Sequence, residues 1–148
     1  DLVELRMMLE PGVAELAAMH ATDEQVQELE GICNRVEYKI QHNQNYINDD
    51  IELHTAIAKC ARNKVMEQLI YIIETAVMMF VNVTHKKLIH ETIETHRAVV
   101  DAIRKHDTIG ARSAMAMHMT YNRNMIRQML EEKAEKEKKR NDENEEIE

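Results

Sequence analysis

Apolar residues recur along this chain at three- and four-residue intervals, the spacing of a helix with one buried face, and six segments carry the pattern. The first covers roughly residues 2–20, with Leu2, Leu5, Leu9, Val13, Leu16 and Ala17 in phase. Pro11 and Gly12 fall inside it, and because the phase continues past them a kinked helix is expected rather than two helices. Thr22-Asp23-Glu24-Gln25 has the form of a capping box and predicts a second helix that ends between Tyr38 and Gln41. The polar run His42 to Asn45 reads as a loop. A third helix is expected from about Tyr46 to Ala61, with Asn63 in the turn that ends it. A fourth, from Lys64 to Val83, is apolar on most sides, as a central or interface-forming helix would be. Thr84 to Glu91 reads as either a loop or a continuation. A fifth helix follows from about Thr92 to Lys105, and Asp107 or Thr108 caps a sixth that reaches at least Leu130.

Composition narrows the fold class. Three glycines and one proline in 148 residues are too few for a turn-rich β-protein, and the chain is long enough for one domain with a real core. The expected architecture is all-α, an antiparallel bundle of about six helices. Residues 1–130 form the helical domain. Residues 131–148 hold nine acidic and five basic side chains with almost no apolar stripe, and read as a charged tail that extends the last helix briefly before fraying. The net charge of −8 is divided equally between these two portions, and neither presents the basic face that binds phosphates. The chain as it stands is therefore expected to bind DNA poorly or not at all. With no apolar run of about 18 residues, no signal-peptide pattern and only two cysteines, Cys33 and Cys60, it is expected to be cytoplasmic, with both thiols buried.

The chemistry lies in polar residues that interrupt the apolar stripes. On the third helix the stripe Ile47, Asp50, His54, Ile57, Ala61 stacks a carboxylate and an imidazole on one face. On the fifth, His96 sits among Ile93, Val100 and Ile103. On the sixth, His118 follows Ala111 and Ala114, with Asn122 one turn later. Burying such a group alone costs several kcal/mol, about 2–7. Three helices each making that concession point to groups that satisfy one another around a shared divalent cation. Three imidazoles and one carboxylate suit zinc foremost, or nickel, cobalt, manganese or iron, with positions left for water or a small carboxylate. Singly, each residue has a plainer reading: His96 or His118 as a hydrogen-bonded core histidine, Asp50 as a first-turn acid. His20, His42 and His106 fall at helix ends or in loops, where solvation is expected; His85 and His90 are reserve ligands only. Asp49, five residues from His54, matches less well than Asp50. No His-Glu-x-x-His, no Glu-x-x-His pair and no glycine-rich phosphate loop occurs.

From Leu5 to about Leu130 the chain resembles the C-terminal effector domain, called FCD, of the FadR-like branch of GntR transcription regulators. The resemblance is carried by Glu4-Leu5-Arg6-Met7-Met8-Leu9-Glu10-Pro11, Leu16-Ala17-Ala18, the Thr22-Asp23-Glu24 cap and Asp50-Ile51-Glu52-Leu53-His54, where leucine stands in place of a usual phenylalanine. Asn63, His96, Ala98, Ile103, Asp107, Ala111 and His118 complete it. It implies that Asp50, His54, His96 and His118 hold a divalent ion beside a cavity for a small carboxylate effector. It also implies a homodimer, and DNA binding through an N-terminal winged helix-turn-helix that this chain lacks. Arg6 is a candidate second contact to the effector carboxylate, unless it is a surface or salt-bridged residue. Asn122 is a candidate to orient the effector or His118, unless it is an ordinary surface amide. The rival reading is a metal-dependent enzyme acting on a small organic acid, since such a site can also activate water.

Overall fold

The computed structural model describes residues 2–81 and 89–145, and among these lie six α-helices and no strand: α1 (Leu2–His20), α2 (Asp23–Gln41), α3 (Ile47–Cys60), α4 (Lys64–Val81), α5 (Ile89–Arg104) and α6 (Thr108–Glu145). Local chemistry sets most of the boundaries. Thr22 Oγ1 accepts from the Gln25 amide at 3.3 Å while Gln25 Oε1 accepts from the Thr22 amide at 3.1 Å, the reciprocal capping box that starts α2. α2, α3 and α5 are each followed closely by a residue in the left-handed region, Asn43, Arg62 and His106, with φ of 53°, 57° and 53°. After α2 and α5 the following amides, Gln44 and Asp107, reach back to the carbonyls of Lys39 and Ala102 at 2.8 and 2.9 Å, which satisfies otherwise orphaned carbonyls. Asn63 does not end α3 so much as begin α4: its Oδ1 accepts from the amides of Val65 and Met66 at 3.1 and 3.2 Å. Asp107 Oδ1 accepts from the Gly110 amide at 2.8 Å and caps α6 in the same way.

Two expectations need correcting. α1 is one helix through Pro11, and of its expected stripe Val13 and Ala17 are buried and Leu2, Leu5 and Leu9 partly so, but Leu16 falls outside it. Arg6, Glu10, Pro11, Val13, Ala14, Ala17 and Ala18 face inward, whereas Leu16 is 37% exposed. Three alanines on that face leave room for close packing, and the leucines at 2, 5 and 9 lie beside it, partly buried. The second correction concerns the tail. α6 does not fray soon after Leu130 but continues to Glu145. Residues 131–145 are rich in Glu and Lys, which lose little on entering a helix, and the pair Glu132 and Lys136 has the favourable i,i+4 order. An apolar stripe is not needed for a helix that continues an already nucleated one. The uncertain stretch at Thr84 to Glu91 divides: residues 84–88, with the reserve ligand His85, lie outside the described residues, and α5 begins at Ile89.

α1 lies at the centre, packed against α3, α4, α5 and α6; α2 packs on α3 and α5, and α6 runs along α5 as well as α1. Leu29, Leu53, Ile57, Ile103 and Met115 are wholly buried where these helices meet. Each such side chain contributes about 1.5–3 kcal/mol of burial free energy. No helix among the described residues is long and apolar enough to cross a membrane.

Candidate metal centre

α3, α5 and α6 each turn one histidine toward the same point in the core. His54, His96 and His118 are 1%, 3% and 1% exposed. His118 Nε2 lies 3.2 Å from His96 Nε2 and 3.2 Å from His54 Nε2. Asp50, one turn before His54, places Oδ1 3.3 Å from His96 Nε2. The four residues expected to form a ligand set are thus gathered, although Asp50 joins the three rings only through His96.

Behind the rings, the Nδ1 atoms are treated unequally. His54 Nδ1 meets Glu10 Oε2 at 2.5 Å. Glu10 is held in turn by Arg6, whose Nε donates to Oε1 at 2.6 Å, and the other end of that guanidinium meets Glu74 Oε1 at 2.6 Å. His118 Nδ1 lies 2.8 Å from Thr95 Oγ1, and that hydroxyl donates its one proton to the Glu91 carbonyl at 2.6 Å. Thr95 therefore accepts from His118, whose proton must sit on Nδ1. Among the described residues, His96 Nδ1 is buried with no hydrogen-bond partner.

These surroundings set the charges. Burial alone would lower the His54 pKa, but Glu10, and after it Glu74, outweigh that and raise it to about 9. Burial lowers His96 to about 4 against the pull of Asp50, and drives His118 well below the ordinary imidazole range, helped by the neighbouring rings. Burial would raise Glu10, yet Arg6 and His54 hold it below the usual carboxylate range, while burial and then Glu10 itself push Glu74 up. With the Nδ1 protons of His54 and His118 committed to Glu10 and Thr95, two ring nitrogens 3.2 Å apart can hold at most one proton between them. Without that proton their lone pairs oppose each other, and a cation relieves the repulsion.

The separations suit a metal. With metal–nitrogen bonds of about 2.1 Å, neighbouring donors stand about 3.0 Å apart in an octahedral shell and about 3.4 Å apart in a tetrahedral one. The observed 3.2 Å falls between. Glu10, His54 and Glu74 form a second group whose donor atoms lie within 4.8 Å of one another, but there Arg6 already supplies the positive charge.

Arg6, expected to grip an incoming carboxylate, grips two of the protein's own and is 2% exposed. Asn122 is half-buried on the opposite side, its Nδ2 3.1 Å from His118 Nε2, so it faces the space onto which the rings converge. Asp49 turns away to Arg35 and Lys39. His90 is exposed beside Glu94, and His42 stacks on Tyr38. His106 is not merely solvated, for its Nδ1 meets the Ala18 carbonyl at 2.8 Å at the end of α1. Sequence reasoning did not find Glu10, Glu74 or Thr95. The signals were present: Arg6 and Glu10 share the i,i+4 face of Val13 and Ala17, and Glu74 is the one acid between Leu69 and Val81.

The FCD domain family model matches residues 1–121. This chain belongs to the FCD domain family. The family is the one that the sequence resembled, and the relatives of this FCD domain are transcription regulators. The Uxu operon regulator of Haemophilus influenzae is 31% identical over 126 residues, 80% of this chain and 47% of that protein. The HTH-type transcriptional repressor NanR of Escherichia coli K12 is 29% identical over 121 residues, 78% of this chain and 46% of that protein. The chain thus spans about half the length of the curated relatives it matches. Among solved structures, Streptococcus agalactiae GntR superposes with a TM-score of 0.78 at 32% identity, covering 84% of this chain and 57% of that one. E. coli McbR/YncC gives a TM-score of 0.76 at 18% identity over 87% of this chain and 64% of that one, a likeness of fold.

Proposed function

We propose that this FCD domain is the ligand-sensing part of a GntR-type transcription regulator, and that it binds a divalent metal through His54, His96, His118 and Asp50 together with a small carboxylate effector. The observation that carries the reading is the convergence of three buried Nε2 atoms on one point, two of them with their protons committed behind the rings. A bound divalent ion supplies a Lewis-acidic anchor with positions left for a carboxylate. Asn122 faces the same space and offers an amide to the effector. Arg6, behind the rings, neutralises Glu10 and Glu74. The enzyme reading has no comparable support, since the relatives named above are an operon regulator and a repressor.

Sensing requires that the effector bind one arrangement of the helices more tightly than another, and a coupling of about 1–3 kcal/mol is enough for a useful switch. The DNA-binding partner domain and a homodimer belong to the same proposal. Val65, Tyr71 and Ile72 of α4, all more than half exposed, offer an apolar face for a second copy. The test is a thermal-shift screen of small carboxylates with and without zinc on chelator-stripped protein. A true effector raises the melting temperature only when zinc is present. Metal content equal in wild type, His54→Ala and His118→Ala would refute the metal site.

A further inference from the structure

The three imidazoles are held from behind in three different ways. His54 has a carboxylate, Glu10, itself held by Arg6; His118 has the hydroxyl of Thr95, already committed as a donor; and His96 has no partner at Nδ1 among the described residues. All of these groups are buried. A neutral ring whose Nδ1–H is engaged presents a bare Nε2, and a carboxylate partner makes that nitrogen a stronger donor than a neutral hydroxyl does.

We infer that Glu10 and Thr95 are positioning residues that lock His54 and His118 with their Nε2 lone pairs toward the centre, and that they set its metal affinity in unequal measure, Glu10 more than Thr95. The inference rests on the metal reading above. It assigns a purpose to the buried charges of α1. Glu10 orients His54, Arg6 holds Glu10 in place, and Glu74 holds the far end of Arg6. It also separates His96 from the other two ligands, as the ring whose tautomer no described residue behind it decides.

The test is zinc titration of chelator-stripped protein against a competing chelator. The variants are Glu10→Gln, Thr95→Val, Thr95→Ser and His54→Ala, each with a melting curve in the metal-free state. Losing a partner behind a ligating histidine typically weakens metal binding about 10–100-fold. Thr95→Val should fall near about 10-fold and Glu10→Gln near about 100-fold. Thr95→Ser, which keeps the hydroxyl, should bind as wild type. If Glu10→Gln does not fold, the Thr95 pair carries the test. Long-range proton–nitrogen NMR of the zinc-loaded wild type should show the proton on Nδ1 of both His54 and His118. Wild-type affinity in Glu10→Gln and Thr95→Val, with zinc lost in His54→Ala, would overturn the inference and leave the metal site standing. Failure of wild type itself to bind zinc would remove both.

Discussion

Replacing Arg6 with methionine removes the guanidinium that serves two buried carboxylates while leaving an apolar side chain of similar length. Arg6 lies 2.6 Å from both Glu10 and Glu74, and all three are 2% exposed or less. At an effective dielectric of about 20 and roughly 4 Å between charge centres, the contact with Glu10 is worth about 4 kcal/mol, and that with Glu74, which burial and Glu10 push up, reaches this only once Glu74 has ionised. Desolvation of the guanidinium offsets a large part of the two together, so the net loss on breaking the cluster should be about 3–5 kcal/mol. For a domain of this size that is about 6–20 °C in melting temperature, read by calorimetry on metal-free protein. The pH dependence has a definite sign. Without Arg6 the two carboxyl groups are raised above their unfolded value of about 4.3. Their folded form then binds more protons than the unfolded one, so the variant's stability is present at low pH and lost as pH rises through the elevated values. Arg6→Met should therefore lose more at pH 8 than at pH 5. The double variant Arg6→Met/Glu74→Gln, which removes one charge of each sign, should recover part of the loss. A loss below about 1 kcal/mol, the size expected of an exposed pair, would refute a buried ionised cluster.

Burial pushes the thiols of Cys33 and Cys60 up to about 11, so at pH 8 the folded protein should react with a disulfide reagent about 100-fold or more slowly than the urea-unfolded chain; rates within a few-fold of each other would contradict it. Asp49 is lowered, burial pulling it up but hydrogen bonds from Lys39 and Arg35 pulling it down further. Its contribution is present above the unfolded value and lost as pH falls, and Asp49→Asn should flatten the acid limb of the stability curve in urea titrations between pH 7 and 3. Deleting residues 131–148 should lower the helical circular dichroism signal while shifting the melting temperature by only a few degrees, because the side chains described there are mostly exposed; collapse of the fold would show that the end of α6 is needed by the core.

Much of the architecture was legible because it rests on interactions within a turn or two of the chain. The Thr22 capping box, the ends of α2 and α3, the start of α6 and the inward stripe of Asp50 and His54 depend on residues three or four apart, and each lies where periodicity and capping place it. The length of α6 was misread because an apolar stripe was required of a helix that propensity and charge order extend. On α1 Leu16 was misplaced because leucines outrank alanines on any hydropathy reading. In the bundle, closeness of approach favours Ala14, Ala17 and Ala18, and the charges of Arg6 and Glu10 are accepted on that face because partners wait there.

What the amino-acid order determined by itself was six helices, their phases in the main, and four candidate ligands spread over three of them. What the tertiary structure decided was which atoms meet. Glu10 stands 44 residues from His54, and Thr95 stands 23 from His118. Whether a histidine offers Nε2 or Nδ1 depends on what lies behind it, and a partner supplied by another helix leaves no periodic trace in either segment. Helical periodicity records which side of a helix is buried, while the identity of the group across the core is set only when the helices pack.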